Sequence, residues 1–192
     1  FYEGGLQHDI YNKDILSGNI FQDEQTPFNP QSPYAIAKLA SHHLVRLYRE
    51  SYGLFACSGI LFNHESERRG DMFVTKKITN YIKTIQDDTC TGKLKLGNLD
   101  AQRDWGHAED YVRAMYMMLN FDSPADYVVG TGETHSVKEF LTKAFNKAGL
   151  DHSLYIEFDE SLLRPSEVPY LRANPAKIKA KGWEPTITFD GL

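Results

Sequence analysis

Apolar residues recur at helical spacing in several stretches of the chain. In residues 33–52, apolar positions three and four apart define one face of a helix. Ser32 offers a hydroxyl at the N-cap, Pro33 suits the first helical position, and Gly53 suits the C-terminal cap. Further helices are predicted from Met72 onward, from about Ala108 to Asn120, over "SVKEFLTKAFNKAGL" with Gly149 ending it, and over "NPAKIKAKGWEP".

Short apolar runs alternate with these helices. The run "LFACSGILF" (54–62) is typical of a buried parallel strand, and "GKLKLGN" and "DYVVGTG" predict two more strands. Two polar stretches, residues 17–33 and "NHESERRG", are rich in turn formers or charge and predict loops. Strands that alternate with helices indicate an α/β fold.

Composition narrows the class of protein. The 192 residues allow one domain or two small ones, and 41% hydrophobic with 24% charged residues is ordinary for a folded chain. A net charge of −5 argues against nucleic acid as a partner. No run of about 18 apolar residues is present, so we expect no membrane span.

The cysteines and the first residues bear on the protein's location. Cys57 and Cys90 have neither metal-ligand nor disulfide-framework spacing, which indicates a reducing compartment. The opening "FYEGGLQHDI" has no basic start and no apolar core like a signal peptide's, so we expect a cytoplasmic protein. Since the chain begins with Phe1 rather than Met, we also expect it to be part of a longer one.

A glycine-rich phosphate-binding turn is not found in this sequence. A complete dinucleotide-binding domain carries G-x-G-x-x-G between its first strand and helix. The G-x-G here is Gly130–Gly132, and His135 occupies the third glycine position. The phosphate-binding turn is therefore not in the chain.

Tyr34 and Lys38 lie four residues apart on the first predicted helix, hence on one face. A phenol with a pKa near ~10 is a poor base at neutral pH, but a neighbouring ammonium favours the phenolate. Such a base could remove a proton from a sugar hydroxyl while hydride leaves the same carbon. The spacing also arises by chance, and an amphipathic tyrosine on a half-buried helix with a solvated lysine is the simpler interpretation. His42 and His43, adjacent on this helix, are interpreted as structural rather than as metal ligands.

Three polar clusters could bind a phosphorylated ligand. After the strand at 54–62, Asn63 could donate to a sugar or phosphate, and Arg68 and Arg69 could pair with phosphate oxygens. The alternative is a charged surface loop.

Before the helix at Ala108, Arg103 suits a pyrophosphate, and Asp104 could cap the helix or orient the arginine; an ordinary helix-start cluster is the alternative. In "RPSEV", Arg164 could hold phosphate and Glu167 could accept from ribose hydroxyls, unless the two form a surface ion pair.

Longer motifs carry a family resemblance. The segments "TPFNPQSPYAIAKL", "GILFNHESERRG", "FVTKKIT", "LGNLDAQRDWGHAEDYVRAM", "GTGETHSVKEF" and "RPSEV…KGWEP" occur in this order. They resemble the extended short-chain dehydrogenase/reductase family and, within it, the GDP-mannose 4,6-dehydratases. The pair "LFNHESERRG" and "RDWGHAEDYV" is far more specific than Tyr-x-x-x-Lys.

The resemblance implies a fold, a cofactor and a reaction. The fold would be the C-terminal part of a Rossmann-type parallel-sheet domain with a smaller α/β substrate-binding region. We assign 1–66 to the former and 67–192 mainly to the latter, interleaved with Rossmann elements around 104–145. NADP would act catalytically: hydride leaves C4 of GDP-mannose, water is lost across C5 and C6, and hydride returns to C6. The protein would form a dimer or tetramer when full length.

The resemblance also assigns roles to residues. Tyr34 would be the base at the C4 hydroxyl, and Lys38 would hold the nicotinamide ribose. His64 and Arg69 would contact the cofactor. The expected contacts to the sugar nucleotide are Asn63, Lys77, Arg103, Arg164 and Glu167.

One region departs from the family pattern. In "GGLQHDIYN", Asp9 falls where the family has the glutamate base for the C5 proton, and Gln7 falls where it has a threonine. Asp for Glu shortens the reach by one methylene, which matters for catalysis. Two alternatives stay open: a GDP-sugar reductase or epimerase of the same family, and an inactive truncated fragment that binds sugar nucleotides.

Overall fold

The computed structural model describes residues 21–163, 168 and 170–192. Its helices are α1 (Pro33–Tyr52), α2 (Val74–Gln86), α3 (Ala108–Met118), α4 (Val137–Lys147) and α5 (Ala176–Lys179). Its strands are β1 (Ser58–Leu61), β2 (Asn63–Glu65), β3 (Leu94–Leu96), β4 (Gln102–Arg103), β5 (Trp105–His107), β6 (Asp126–Val129), β7 (His135–Ser136) and β8 (Ile156–Phe158).

The strands form four pairs, of which three are parallel. β1 pairs with β6, β2 with β5 and β3 with β8 in parallel, whereas β4 and β7 are antiparallel. The chain passes through α2 and α3 between β1 and β6, because a parallel pair needs a long crossover. This arrangement agrees with the α/β class expected from the alternating pattern.

Helix α1 begins and ends where the sequence predicts. The Ser32 hydroxyl accepts a hydrogen bond from the Ala35 amide at 3.0 Å, and Pro33 is the first helical residue. Gly53 closes the helix at φ 64°, a left-handed conformation that suits glycine, and its amide donates to the Tyr48 carbonyl. The caps therefore fix the position of α1 along the sequence.

Two predicted boundaries are wrong. The strand predicted at 54–62 is regular only over Ser58–Leu61, and the predicted loop "NHESERRG" begins with strand β2. The loop assignment rested on polarity, but β2 is held by backbone pairing with Trp105–His107, which polar side chains do not prevent. Helix α2 starts at Val74, after a turn in which the Phe73 amide donates to the Gly70 carbonyl.

Three buried clusters hold these elements together. The first packs strands β1 and β6 against the segment around Leu171, and the second packs α2 against α4 around Trp105. The third joins α3 to Trp183, whose indole N–H donates to the Asp110 carbonyl at 2.9 Å. The C-terminal segment is thus fastened to α3.

Within the described ranges, no helix combines the length and apolar character that a bilayer crossing requires. The division into 1–66 and 67–192 stays a prediction.

Candidate functional site

Tyr34 lies in the first turn of α1, and 58% of it is exposed. Lys38 follows one turn later and is half-buried. The helix is regular here, so both side chains lie on one face, as their spacing predicts. The phenol is thus accessible to a ligand, with a lysine one turn away.

The segment leading into α1 is anchored by Gln22, which is 1% exposed. The Gln22 amide donates to the Arg172 carbonyl, and its own carbonyl accepts from Asn174, both at 2.8 Å. Its side-chain oxygen accepts from the Arg172 amide at 2.8 Å. The described part of the predicted loop 17–33 is therefore fixed through Gln22 to residues 172–174.

Strand β2 carries Asn63 and His64 directly after β1, where the strand pattern predicts ligand-binding residues. The Nδ1 atom of His64 lies 2.9 Å from the Phe62 carbonyl oxygen. Its ring lies 4.9 Å from the Tyr111 ring, which is buried. Both contacts fix the orientation of the His64 imidazole.

Arg69 turns inward from the loop after β2. Its guanidinium carbon lies 3.5 Å from the centre of the Phe73 ring. Its Nε atom lies 3.3 Å from Oε2 of Glu65, but without hydrogen-bond geometry, so this buried donor has no acceptor among the described residues. Arg68 of the same loop is exposed.

Arg103 is bound to the segment beside "RPSEV". Its guanidinium donates to the Gln102 carbonyl at 2.8 Å and to the Val168 carbonyl at 2.6 Å. Val168 directly follows Glu167 in the sequence. Lys77 lies in the first turns of α2 and is half-buried.

Asp104 does not cap the helix, because His107 occupies the N-cap of α3 and accepts from the Glu109 amide. Asp104 is fully buried, and its carboxylate accepts four hydrogen bonds of 2.8–3.0 Å. The donors are the Thr131 amide and hydroxyl, the Gly132 amide and the Ala173 amide. None of these bonds goes to Arg103, so the idea that Asp104 orients Arg103 directly is also wrong.

Burial raises the pKa of Asp104, and the hydrogen bonds from Thr131, Ala173 and Gly132 partly offset this effect. The carboxylate joins the β6–β7 turn to the 170–174 segment.

Three predicted site residues, Asp9, Arg164 and Glu167, and also Gln7, lie outside the described residues. Sequence reasoning missed the buried carboxylate of Glu65 and the bridging role of Asp104. For Glu65, the available signal was an arginine four residues later and a threonine near the start of the next helix. For Asp104, no periodicity marks an acceptor whose donors lie 27–69 residues away.

The family model described as "GDP-mannose 4,6 dehydratase" matches residues 16–192. The chain belongs to this family. It is 52% identical over 172 residues to GDP-mannose 4,6 dehydratase 2 of Arabidopsis thaliana, a match that covers 89% of this chain and 46% of the relative. Human GDP-mannose 4,6 dehydratase is 45% identical over 213 residues, a match that covers 100% of this chain and 55% of the human protein. The chain spans about half the length of the curated relatives it matches.

Solved structures confirm the fold class of this family member. RMD from Pseudomonas aeruginosa, complexed with NADPH, superposes with a TM-score of 0.82 at 25% identity, covering 96% of this chain and 61% of that one. Thermus thermophilus UDP-glucose 4-epimerase, in complex with NAD, superposes with a TM-score of 0.78 at 25% identity. This match covers 98% of this chain and 58% of the epimerase chain. The predicted Rossmann-type α/β fold and the predicted family resemblance are both confirmed.

Proposed function

We propose that the protein dehydrates GDP-mannose to GDP-4-dehydro-6-deoxy-mannose with catalytic NADP, as a hydro-lyase. The observation that carries the proposal is the exposed Tyr34 one turn before Lys38, in a chain that matches this dehydratase family over residues 16–192. Because the chain spans about half of its relatives, the activity is proposed for the protein expressed from its complete coding sequence.

Tyr34 would take the proton from the C4 hydroxyl of the mannose. Its exposure on the first turn of α1 lets the phenolic oxygen reach a bound sugar. The ammonium of Lys38 would stabilise the phenolate by its charge and bind the nicotinamide ribose. Asp9 would take the proton at C5 in place of the family glutamate.

The described residues fit one end of a nicotinamide cofactor. The Arg69 guanidinium stacks on Phe73, and its buried Nε–H finds no acceptor in the described part of the chain. His64 in strand β2 presents an oriented imidazole. Both residue types bind phosphate and ribose oxygens. The chemistry that NADP supplies when bound is hydride transfer from the sugar and back to it. NADP rather than NAD is supported by the RMD complex with NADPH.

The sugar nucleotide would lie against Asn63, Lys77 and Arg103, with Arg164 and Glu167 in the segment beside Val168. The hydrogen bond from Arg103 to the Val168 carbonyl supports this grouping, because Val168 directly follows Glu167 in the sequence. We further propose that the complete protein is a cytoplasmic dimer or tetramer.

The test is product analysis of GDP-mannose deuterated at C4, incubated with the protein and NADP. We expect GDP-4-dehydro-6-deoxy-mannose with the deuterium at C6. No turnover of GDP-mannose, with reduction of the C4 carbonyl of added GDP-4-dehydro-6-deoxy-mannose as NADPH is oxidised, would show a reductase. Conversion of GDP-mannose to an isomeric GDP-hexose would show an epimerase. GDP-mannose binding without NADP binding or turnover would show a sugar-nucleotide-binding protein, and the dehydratase proposal would fail.

A further inference from the structure

Glu65 ends strand β2, beside His64, and is 7% exposed. Its Oε2 atom accepts a hydrogen bond from the Thr75 hydroxyl at 2.5 Å. The same oxygen lies 3.3 Å from Nε of Arg69. One buried carboxylate therefore contacts both the middle of the following loop and the helix beyond it.

The start of helix α2 lacks the groups that usually stabilise a helix N-terminus. Phe73 is the N-cap and makes no side-chain cap hydrogen bond, and the first turn holds no acidic residue. Thr75 is the second residue of the helix, so its bond to Glu65 brings a carboxylate from a neighbouring strand to this end. That contact closes residues 66–73 into a loop with joined ends.

Two further side-chain contacts of this loop lie at the surface. The Lys76 ammonium donates to the Glu67 carbonyl at 2.8 Å, and Asn80 donates to Asp71 at 3.0 Å, both exposed. Exposed contacts of this kind contribute little to order. The buried pair of Glu65 and Thr75 is therefore the stronger restraint on the loop.

Burial raises the pKa of Glu65, although the Thr75 hydrogen bond and the charges of Arg69 and His64 act in the opposite direction. A buried carboxylate costs free energy that an apolar side chain of similar size would not. The stability of the fold alone does not account for a carboxylate at this position.

We propose that Glu65 is a positioning residue for the cofactor site: it holds loop 66–73 so that His64 and Arg69 face the bound nucleotide. This inference rests on the proposed function. Glu65 itself is covered by Thr75 and Arg69, so it acts through them rather than on the cofactor.

The test uses Glu65→Gln, which keeps shape but loses charge, and Thr75→Val, which loses the hydroxyl. Thr75→Ser restores the hydroxyl, and Glu67→Gln changes an exposed acid of the same loop. Dissociation constants for NADP and for GDP-mannose are measured separately. Trypsin cleavage after Arg68 and Arg69 reports the order of the loop without relying on activity.

We expect Glu65→Gln and Thr75→Val to weaken NADP binding about tenfold, the size expected for one charge-assisted hydrogen bond. GDP-mannose binding should stay within about twofold, cleavage at Arg68 and Arg69 should be faster, and Thr75→Ser and Glu67→Gln should resemble wild type. If Glu65→Gln does not fold, the NADP affinities and trypsin cleavage rates of Thr75→Val and Thr75→Ser are compared instead, and this comparison decides the inference.

Unchanged NADP affinity in both variants, or equal losses for NADP and GDP-mannose, would overturn the inference. Wild-type protein that binds no NADP would instead overturn the proposed function, and the trypsin comparison would still decide whether Glu65 holds the loop.

Discussion

Arg49 of helix α1 and Asp126 at the start of strand β6 form a bidentate ion pair. The two Nη–Oδ distances are 2.8 and 3.2 Å, and Arg49 also donates to the Ala56 carbonyl at 3.0 Å. Burial alone raises the pKa of Asp126, but the hydrogen bonds and charge of Arg49 outweigh it, so the pKa is lowered. The pair fastens the helix that carries Tyr34 and Lys38 to the sheet.

Arg49→Met should lower the free energy of unfolding by about 2–3 kcal/mol, because it leaves a mostly buried carboxylate without its partner. The matched control is Arg46→Met on the same helix, whose ion pair with Glu50 is exposed. That change should cost about 0.3–0.5 kcal/mol. Urea denaturation of both variants gives the comparison, and equal losses would show that Arg49 contributes no more than a surface pair.

Tyr34→Phe should reduce kcat about 10²–10⁴-fold, the usual contribution of a general base. The midpoint of unfolding should hardly move, because most of Tyr34 is exposed. Tyr48→Phe, an exposed tyrosine of the same helix, is the control and should leave kcat unchanged. Steady-state kinetics with GDP-mannose and NADP provide the measurement, and an unchanged kcat for Tyr34→Phe would remove Tyr34 from the proposed chemistry.

Local signals in the sequence predicted part of this structure. Ser32 and Gly53 marked both ends of α1, since a cap acts on residues within one turn of itself. The strand at Asn63–Glu65 was missed because backbone pairing with Trp105–His107, not side-chain pattern, defines it.

The roles of Gly130 and Gly132 were likewise not predicted from the sequence. A Cβ on Gly130 would lie 2.3 Å from Cβ of Ala173, and Gly132 has φ 87° beside Asp104. Gly130 is required by Ala173, which comes much later in the chain and which no local motif reveals. Gly132 is required by its own positive φ.

Asp104→Asn should lower the free energy of unfolding by about 3 kcal/mol, because an NH₂ group in place of Oδ2 would face the Gly132 and Ala173 amides, which are both donors. Asp100→Asn, an exposed change four residues earlier, should stay within about 0.5 kcal/mol. Thermal denaturation of both variants tests this. Equal midpoints would show that the Thr131, Gly132 and Ala173 donors do not depend on the carboxylate.

The contribution of His42 to the stability of the fold should decrease as the pH falls below about 6.5. Burial lowers the pKa of His42 from 6.5; Asp126 opposes this shift, and His43, Arg49 and Arg46 add to it. Below pH 6.5 the unfolded imidazole therefore binds a proton before the folded one does, which favours unfolding. The stability is present above that pH and is lost as the pH falls through the folded pKa.

His42→Gln removes this group while it keeps a polar side chain, so it should flatten the pH dependence. Between pH 7.5 and 5.5, wild type should lose more free energy of unfolding than His42→Gln, by at most about 1.4 kcal/mol. The raised pKa values of Glu65 and Asp104 act equally in both proteins and cancel in the difference, and Asp126 titrates below its usual 3.8, outside this window. His43→Gln removes one of the smaller contributions to the shift of His42, so its pH dependence should lie between those of wild type and His42→Gln. Parallel curves for wild type and His42→Gln would show that His42 takes no part in the acid sensitivity.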